Sequence, residues 1–328
     1  MREHTVILAF EPGAIFTSFV PSLVDGLASG ALYALVALGY TLVYGVLRLI
    51  NFAHSEVFMI GTASTLLATT MLGLTTASAP RTGFALVGVL GFCLVVSMTF
   101  SGAAAVALEL IAYRPLRRRG ATRLAFLISA IGSSFVISEL MARPGLLGRD
   151  RQPVAELVAH TALFRAPQGA IISADRVITF VGAIVMMMAL DQFVRRSRLG
   201  RGIRAVAQDP ESATLMGVNI NRVVTVTFLL GGIMAGAAGV LYEVRFQGTK
   251  FDIGFIFGIK AFTAAVLGGI GNLRGALVGG LTLGLLEAFG GAVFGAKWID
   301  VVGFTILVLI LLVRPNGLLG EALGRARA

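Results

Sequence analysis

Uncharged apolar windows of about twenty residues recur along this chain, at 26–47, 57–80, 84–108 and 223–242. About twenty apolar residues in helical form cross the roughly 30 Å of hydrocarbon in a bilayer. Backbone amides in lipid must bond within their own segment, so each window is expected to be a helix. A soluble protein with several buried helices would not repeat such windows this often in 328 residues. Composition agrees: 56% of residues are hydrophobic and 13% charged, where ordinary soluble domains carry about 25% charged residues. The expected fold is all-α and polytopic, one domain over 1–328, with eight or nine spans. These fall near 19–44, 57–74, 86–112, 124–141, 177–194, 223–242, 255–271, 275–291 and 298–313.

The net charge of +10 does not point to nucleic acid, because the arginines sit between apolar windows. Lys and Arg collect in short cytoplasmic loops. Segment 113–123 holds five arginines and 195–204 holds five more; with two spans between them, both are expected on the cytoplasmic face. The tail from Arg314, with Arg325 and Arg327, falls on the same face. Segment 142–176 is then an outer loop, and 195–222 a cytoplasmic one. Glu11 and Pro12 interrupt a weak apolar run that no Ala-x-Ala site follows, so the first strong window is expected to be kept as a span. A single cysteine, Cys93, and three histidines give no metal-ligand spacing and imply no cofactor.

Small residues organise the windows. Gly271, Gly275 and Gly279 repeat every fourth residue, as do Gly280 and Gly284, Gly232 and Gly236, and Gly26 and Gly30. This spacing strips one helix face of side chains and lets helices approach closely. Segment 267–280, "LGGIGNLRGALVGG", places Asn272 and Arg274 between two short apolar arms. It fits either a broken helix beside a transport path or a hairpin turn. Polar breaks near 51–56 and 271–274 allow a weak internal duplication.

No G-x-x-x-x-G-K-[ST] loop is present, so the chain cannot bind ATP through one. Neither a Gly-x-Ser-x-Gly elbow nor a His-Glu-x-x-His helix occurs, and no residue is assigned a catalytic role. Polar groups within or beside the windows are Asp25, Asn51, His54, Glu56, Glu109, Glu139, Lys260 and Glu287. Such groups face a bundle interior, a watery cavity or the interface. In the 200–224 loop, Asp209 is a good N-cap, Pro210 suits the first helical position, Glu211 complements the positive helix end and Gly217 is a natural stop. A two-turn helix over 210–216 is expected, apolar at Ala213, Leu215 and Met216. Both a docking knob for a partner and a helix lying on the membrane surface satisfy this pattern.

"ESATLMG" (211–217) resembles the Glu-Ala-Ala-x-x-x-Gly loop of ATP-binding-cassette import permeases, with Ser212 in place of the first Ala. "INFAHSEVFMIG" (50–61), "GALYALVALGYTLVYG" (30–45) and "KAFTAAVLGGIGNLRGALVGG" (260–280) are similar to segments of the branched-chain amino acid permease subunit, with Ser55 where Gly is usual. The resemblance runs in order from about Val24 to Gly317. It implies a bacterial inner-membrane permease that borrows its energy from two cytosolic ATPase subunits. Its further partners would be a second homologous permease and an external solute-binding protein. Asp209, Pro210, Glu211, Ala213 and Gly217 would form the helix that couples to an ATPase. Asn51, His54, Glu56, Lys260 and Asn272 would lie at the translocation path or at helix breaks beside it. The implied cargo is a branched-chain or related amino acid, or urea or an amide. Rival readings are a proton-coupled secondary transporter using His54 and Glu56, and a membrane enzyme or scaffold.

Overall fold

The computed structural model describes residues 18–165, 171–314 and 316–320. Glu11, Pro12, Arg325 and Arg327, and with them the expected course of the two chain ends, lie outside the described residues.

Helices dominate: α1 (Phe19–Leu47), α2 (His54–Met71), α3 (Gly83–Leu108) with a π-helical turn (Glu109–Tyr113), α4 (Arg114–Arg118), α5 (Arg123–Met141), α6 (Ala174–Arg196), α7 (Arg198–Gln208), α8 (Pro210–Leu215), α9 (Ile220–Phe246), α10 (Ile253–Gly268), α11 (Leu273–Phe294) and α12 (Ile299–Val313). Among the described residues, seven helical segments are long and apolar enough to cross a membrane. The protein is thus an all-α polytopic membrane protein.

Two expected spans differ from the rest. Helix α10 is apolar but only 16 residues long. Helix α2 has 18 residues but carries His54, Glu56 and six hydroxyl side chains. Most of α2 is buried in the bundle, so protein, rather than lipid, surrounds its polar groups. Helix α1 forms the axis: Ala31, Leu32, Ala34, Leu35, Val36 and Ala37 are fully buried. A helix apolar on all sides needs protein or lipid around it; here it is protein, since α1 packs on α6, α9, α10 and α11. Its Gly26 and Gly30 meet backbone of α11 at Gly284, Leu285 and Gly280, the close approach that the fourfold glycine spacing predicts.

A long helix, a break of six residues and a short helix occur in succession twice. Helix α1 ends at Leu47 and α2 starts at His54; α9 ends at Phe246 and α10 starts at Ile253. Both long helices close in a left-handed residue. Among the described non-glycine residues only Arg48 (φ 55°) and Gln247 (φ 50°) have positive φ. Each donates its amide to the carbonyl four residues back, Tyr44 (2.7 Å) and Glu243 (3.1 Å). The second break therefore falls at 247–252, and segment 269–272 is a turn between α10 and α11.

The breaks lie at opposite ends of the bundle. Arg48 reaches the Ala207 carbonyl of α7 at 2.8 Å, on the arginine-rich face. The other break pairs with the segment between α5 and α6: β1 (Gln152–Pro153) and β4 (Gly248–Thr249) are antiparallel, with Gln152 opposite Thr249. A second small ribbon, β2 (Ala162–Arg165) with β3 (Ile171–Ser173), lies in the same segment.

Candidate functional site

The first break carries Asn51, His54 and Glu56, each at most 2% exposed. His54 packs against Gly39, where a Cβ would overlap its ring. Gly39 lies eight residues before Leu47, so α2 starts about 12 Å short of the level at which α1 ends. Segment 48–53 is thus non-helical backbone folded back into the bundle, tolerated because protein surrounds it. Asn51 Oδ1 accepts a hydrogen bond from the Tyr113 hydroxyl at 2.8 Å. The π-helical turn that ends α3 delivers Tyr113 to this point, and such turns commonly re-aim a side chain at functional positions. The His54 ring lies edge-on to Tyr40, with centroids 4.9 Å apart. Glu56 accepts from Ser134 of α5 at 3.0 Å.

The second break approaches the first from the other end. Thr249 is fully buried and shares a 2.7 Å hydrogen bond with Thr62 of α2. Gly254, at the start of α10, lies against Ser55 and Glu56. Ser138, one turn beyond Ser134 on α5, donates to the Phe251 carbonyl at 3.2 Å. One face of α5 therefore holds both breaks. The rings of Phe58 and Phe257 stack between the two short helices at 4.5 Å.

Lys260 does not join this cluster. It lies on α10 and bridges Glu287 of α11 (3.1 Å) and Asp300 of α12 (2.7 Å); Glu287 also accepts from the Tyr33 hydroxyl at 2.7 Å. Asn272 is remote from both. It caps α11 by accepting from the amides of Arg274 (3.0 Å) and Gly275 (3.3 Å) and donates to the Leu319 carbonyl at 2.9 Å. Of the other polar candidates, Glu109 is fully buried between Arg114 (3.0 Å) and Arg117 (2.9 Å). Asp25 pairs with Arg245 at 3.0 Å. Glu139 pairs with Arg149 at the surface. Sequence reasoning missed Tyr113, Tyr33, Asp300 and the fully buried Glu243. Glu243 had a signal, since it closes the uncharged 223–242 window from inside its own helix.

On the arginine-rich face, α8 has the expected construction one residue shorter, ending at Leu215. The Asp209 carboxylate accepts from the Glu211 amide at 3.0 Å and from the Ser212 hydroxyl. The Ser212 hydroxyl and the helix-start amides hold its carboxyl below the usual carboxylate range. At the other end Gly217 (φ 82°) donates to Thr214 (2.9 Å) while Val218 donates to Ala213 (3.0 Å). That pair of bonds is a Schellman stop, which requires a left-handed residue. Ala213 is buried at 4%, whereas Leu215 and Met216 are 88% and 84% exposed. The knob thus seats itself through Ala213 and holds two large apolar side chains outward.

The family described as "Branched-chain amino acid transport system / permease component" matches residues 22–312. The chain belongs to this permease family. The permease is 40% identical to the high-affinity branched-chain amino acid transport system permease protein BraD of Pseudomonas aeruginosa, over 92% of this chain and 96% of that protein. It is also 40% identical to the LivH permease protein of Escherichia coli K12, over 93% and 97% of the two chains. A probable branched-chain amino acid transport permease protein LivH of Methanocaldococcus jannaschii is 24% identical over 88% and 89%. Family membership makes this chain a transport component, not an enzyme. Both breaks, the Lys260 cluster and the knob fall inside the matched span.

Proposed function

We propose that this permease is the membrane conduit of an ATP-driven importer of branched-chain or closely related amino acids in a bacterial inner membrane. Two cytosolic ATPase subunits, a second homologous permease and an external solute-binding protein complete the assembly. The observation that carries this reading is the α8 knob. It is capped at both ends, set on the arginine-rich face and leaves Leu215 and Met216 exposed, as a part made to enter a partner's groove would. The arginine-rich face is then cytoplasmic by the charge rule. ATP-driven closure of the ATPases moves α8. The motion passes through α7, held to the first break by the Arg48–Ala207 bond, and on to the short helices. Asn51, His54 and Glu56 hold the first break in shape beside the path. Two short helices whose starts meet inside the bundle supply the bistable element that alternating access needs. Lys260 ties α10 to α11 and α12, and Asn272 fixes the turn that joins α10 to α11.

The test is leucine uptake into proteoliposomes holding the full assembly. Uptake that needs ATP, the ATPases and the binding protein supports the reading. Uptake by this chain alone, driven by a pH gradient and indifferent to ATP, makes it a secondary transporter and overturns it. The paired change Glu211→Arg and Gly217→Trp, in protein that still folds, abolishes both ATPase association and uptake.

A further inference from the structure

Helices α6 and α11 both pack on α1, and between them runs a crevice of about 460 Å³. That volume lies within the roughly 300–1,000 Å³ of sites that enclose small ligands. Its walls are apolar: Leu38 at the back, Ile184 and Met188 from α6, and Leu277 and Val278 from α11. Met188 is 59% exposed and Val278 37% exposed, so the crevice opens sideways, in the direction in which a spanning bundle meets lipid. Its polar groups are confined to the arginine-rich end, where Asp191, Arg195 and Arg274 line it. Asp191 is already paired with Arg195 at 2.9 Å. Arg274 makes no ion pair among the described residues. The site therefore has an apolar slot between two membrane-spanning helices and one uncompensated guanidinium at its arginine-rich end.

The geometry points to a binding site for one anionic phospholipid of the leaflet at the arginine-rich face, with an acyl chain in the crevice and the phosphate on Arg274. A guanidinium fork matches phosphate oxygens in a bidentate manner. A neighbouring basic residue at such a surface favours an anionic over a zwitterionic lipid by about fivefold. The proposal depends on the chain spanning a membrane but not on the identity of its cargo.

The full-length permease, purified and stripped of lipid, is titrated with dioleoylphosphatidylglycerol, dioleoylphosphatidylcholine or inorganic phosphate. Native mass spectrometry then counts the lipids retained. Expected are one phosphatidylglycerol retained in preference to phosphatidylcholine, no competition from millimolar phosphate, and a preference that falls about fivefold in Arg274→Gln. Val278→Trp fills the slot and removes the retained lipid of either kind, while an unchanged melting temperature in phosphatidylcholine nanodiscs shows that the fold survives. Arg274→Lys tests geometry against charge and keeps part of the preference. Equal retention of the two lipids overturns the proposal, as does an Arg274→Gln preference equal to wild type. So does phosphatidylglycerol binding that appears only after residues 321–328 are deleted, because that segment would then be the occupant.

Discussion

Replacing Leu215 and Met216 together by serine separates docking from folding. Both side chains are more than four-fifths exposed in the permease, and neither supports the bundle. Exposed substitutions of this kind change stability by no more than about 0.5 kcal/mol. The helix keeps its caps, because Asp209, Ala213 and Gly217 are untouched. In a partner's groove the account is different. Fully burying one leucine or methionine is worth about 1.5–3 kcal/mol, and 1.4 kcal/mol is tenfold in affinity. Either single substitution therefore weakens ATPase binding roughly 10- to 150-fold, and the double substitution weakens it further. The assay measures ATPase binding to nanodisc-embedded permease by interferometry, alongside the melting temperature of the same samples. A double variant that melts like wild type and binds the ATPases within about twofold of wild type refutes the docking role. A fluorophore at position 215 adds a second readout. Quenching by brominated lipid, with no protection by ATPase, would place α8 on the membrane surface instead.

Three further outcomes follow from the buried polar groups and the cap. Tyr113→Phe leaves the buried Asn51 carbonyl oxygen without its 2.8 Å donor and costs about 1–3 kcal/mol; adding Asn51→Leu loses less than the sum, with a coupling above about 0.5 kcal/mol in thermal unfolding. Lys260→Met leaves Glu287, 6% exposed, without its cation and destabilises by about 3–5 kcal/mol, and adding Glu287→Gln restores part of that loss. The Asp209 carboxyl is held below its usual range, so its support of α8 is fully present above the unfolded-state pKa of about 3.9 and is lost only as pH falls through the lower folded value. Amide exchange at Glu211 and Ser212, corrected for intrinsic pH dependence, is accordingly flat from about pH 5 to 8; it accelerates in Asp209→Ala but not in Asp209→Asn, which can still cap.

What was legible in the sequence was whatever local chemistry decides. Asp209, Pro210 and Gly217 each carry a backbone instruction that neighbours do not countermand, so α8 was readable to within one residue. The apolar windows were readable for the same reason, since length and hydropathy alone require helix in lipid. Which helices face protein was not. Hydropathy reads α2 as a weak span because His54, Glu56 and its hydroxyls count against it, and only packing reveals that α2 lies inside.

The second break was hidden for a more specific reason. "RFQGTKFDIG" (245–254) contains Arg245, Lys250 and Asp252, charges that end the apolar window, whereas "LGGIGNLRG" further on fits a broken helix as well as it fits the hairpin turn that forms there. Pairing of Gln152 with Thr249 and of Thr249 with Thr62 folds the first of these inward. In the second, the Asn272 cap is satisfied at the surface by Leu319. The two true breaks share almost no side chains: one has Asn51, His54 and Glu56, the other Gln247, Thr249 and Asp252. What they share is backbone, a left-handed residue that stops a long helix and six residues that lead to a short one. A left-handed conformation at arginine or glutamine costs about 1–2 kcal/mol relative to the helical region. That cost is met twice, at Arg48 and Gln247, on opposite faces of one bundle, where an ordinary helix end would have placed glycine. Arg48 gains the Ala207 carbonyl of α7 by it, and Gln247 gains His160 of the outer segment at 2.7 Å. Glycine at either position would relieve the strain and forfeit a side-chain tie from a long helix to the segment capping its end. Arg48→Gly and Gln247→Gly should therefore leave the melting temperature near wild type while slowing uptake, and a variant that transports at the wild-type rate would show that neither tie transmits motion.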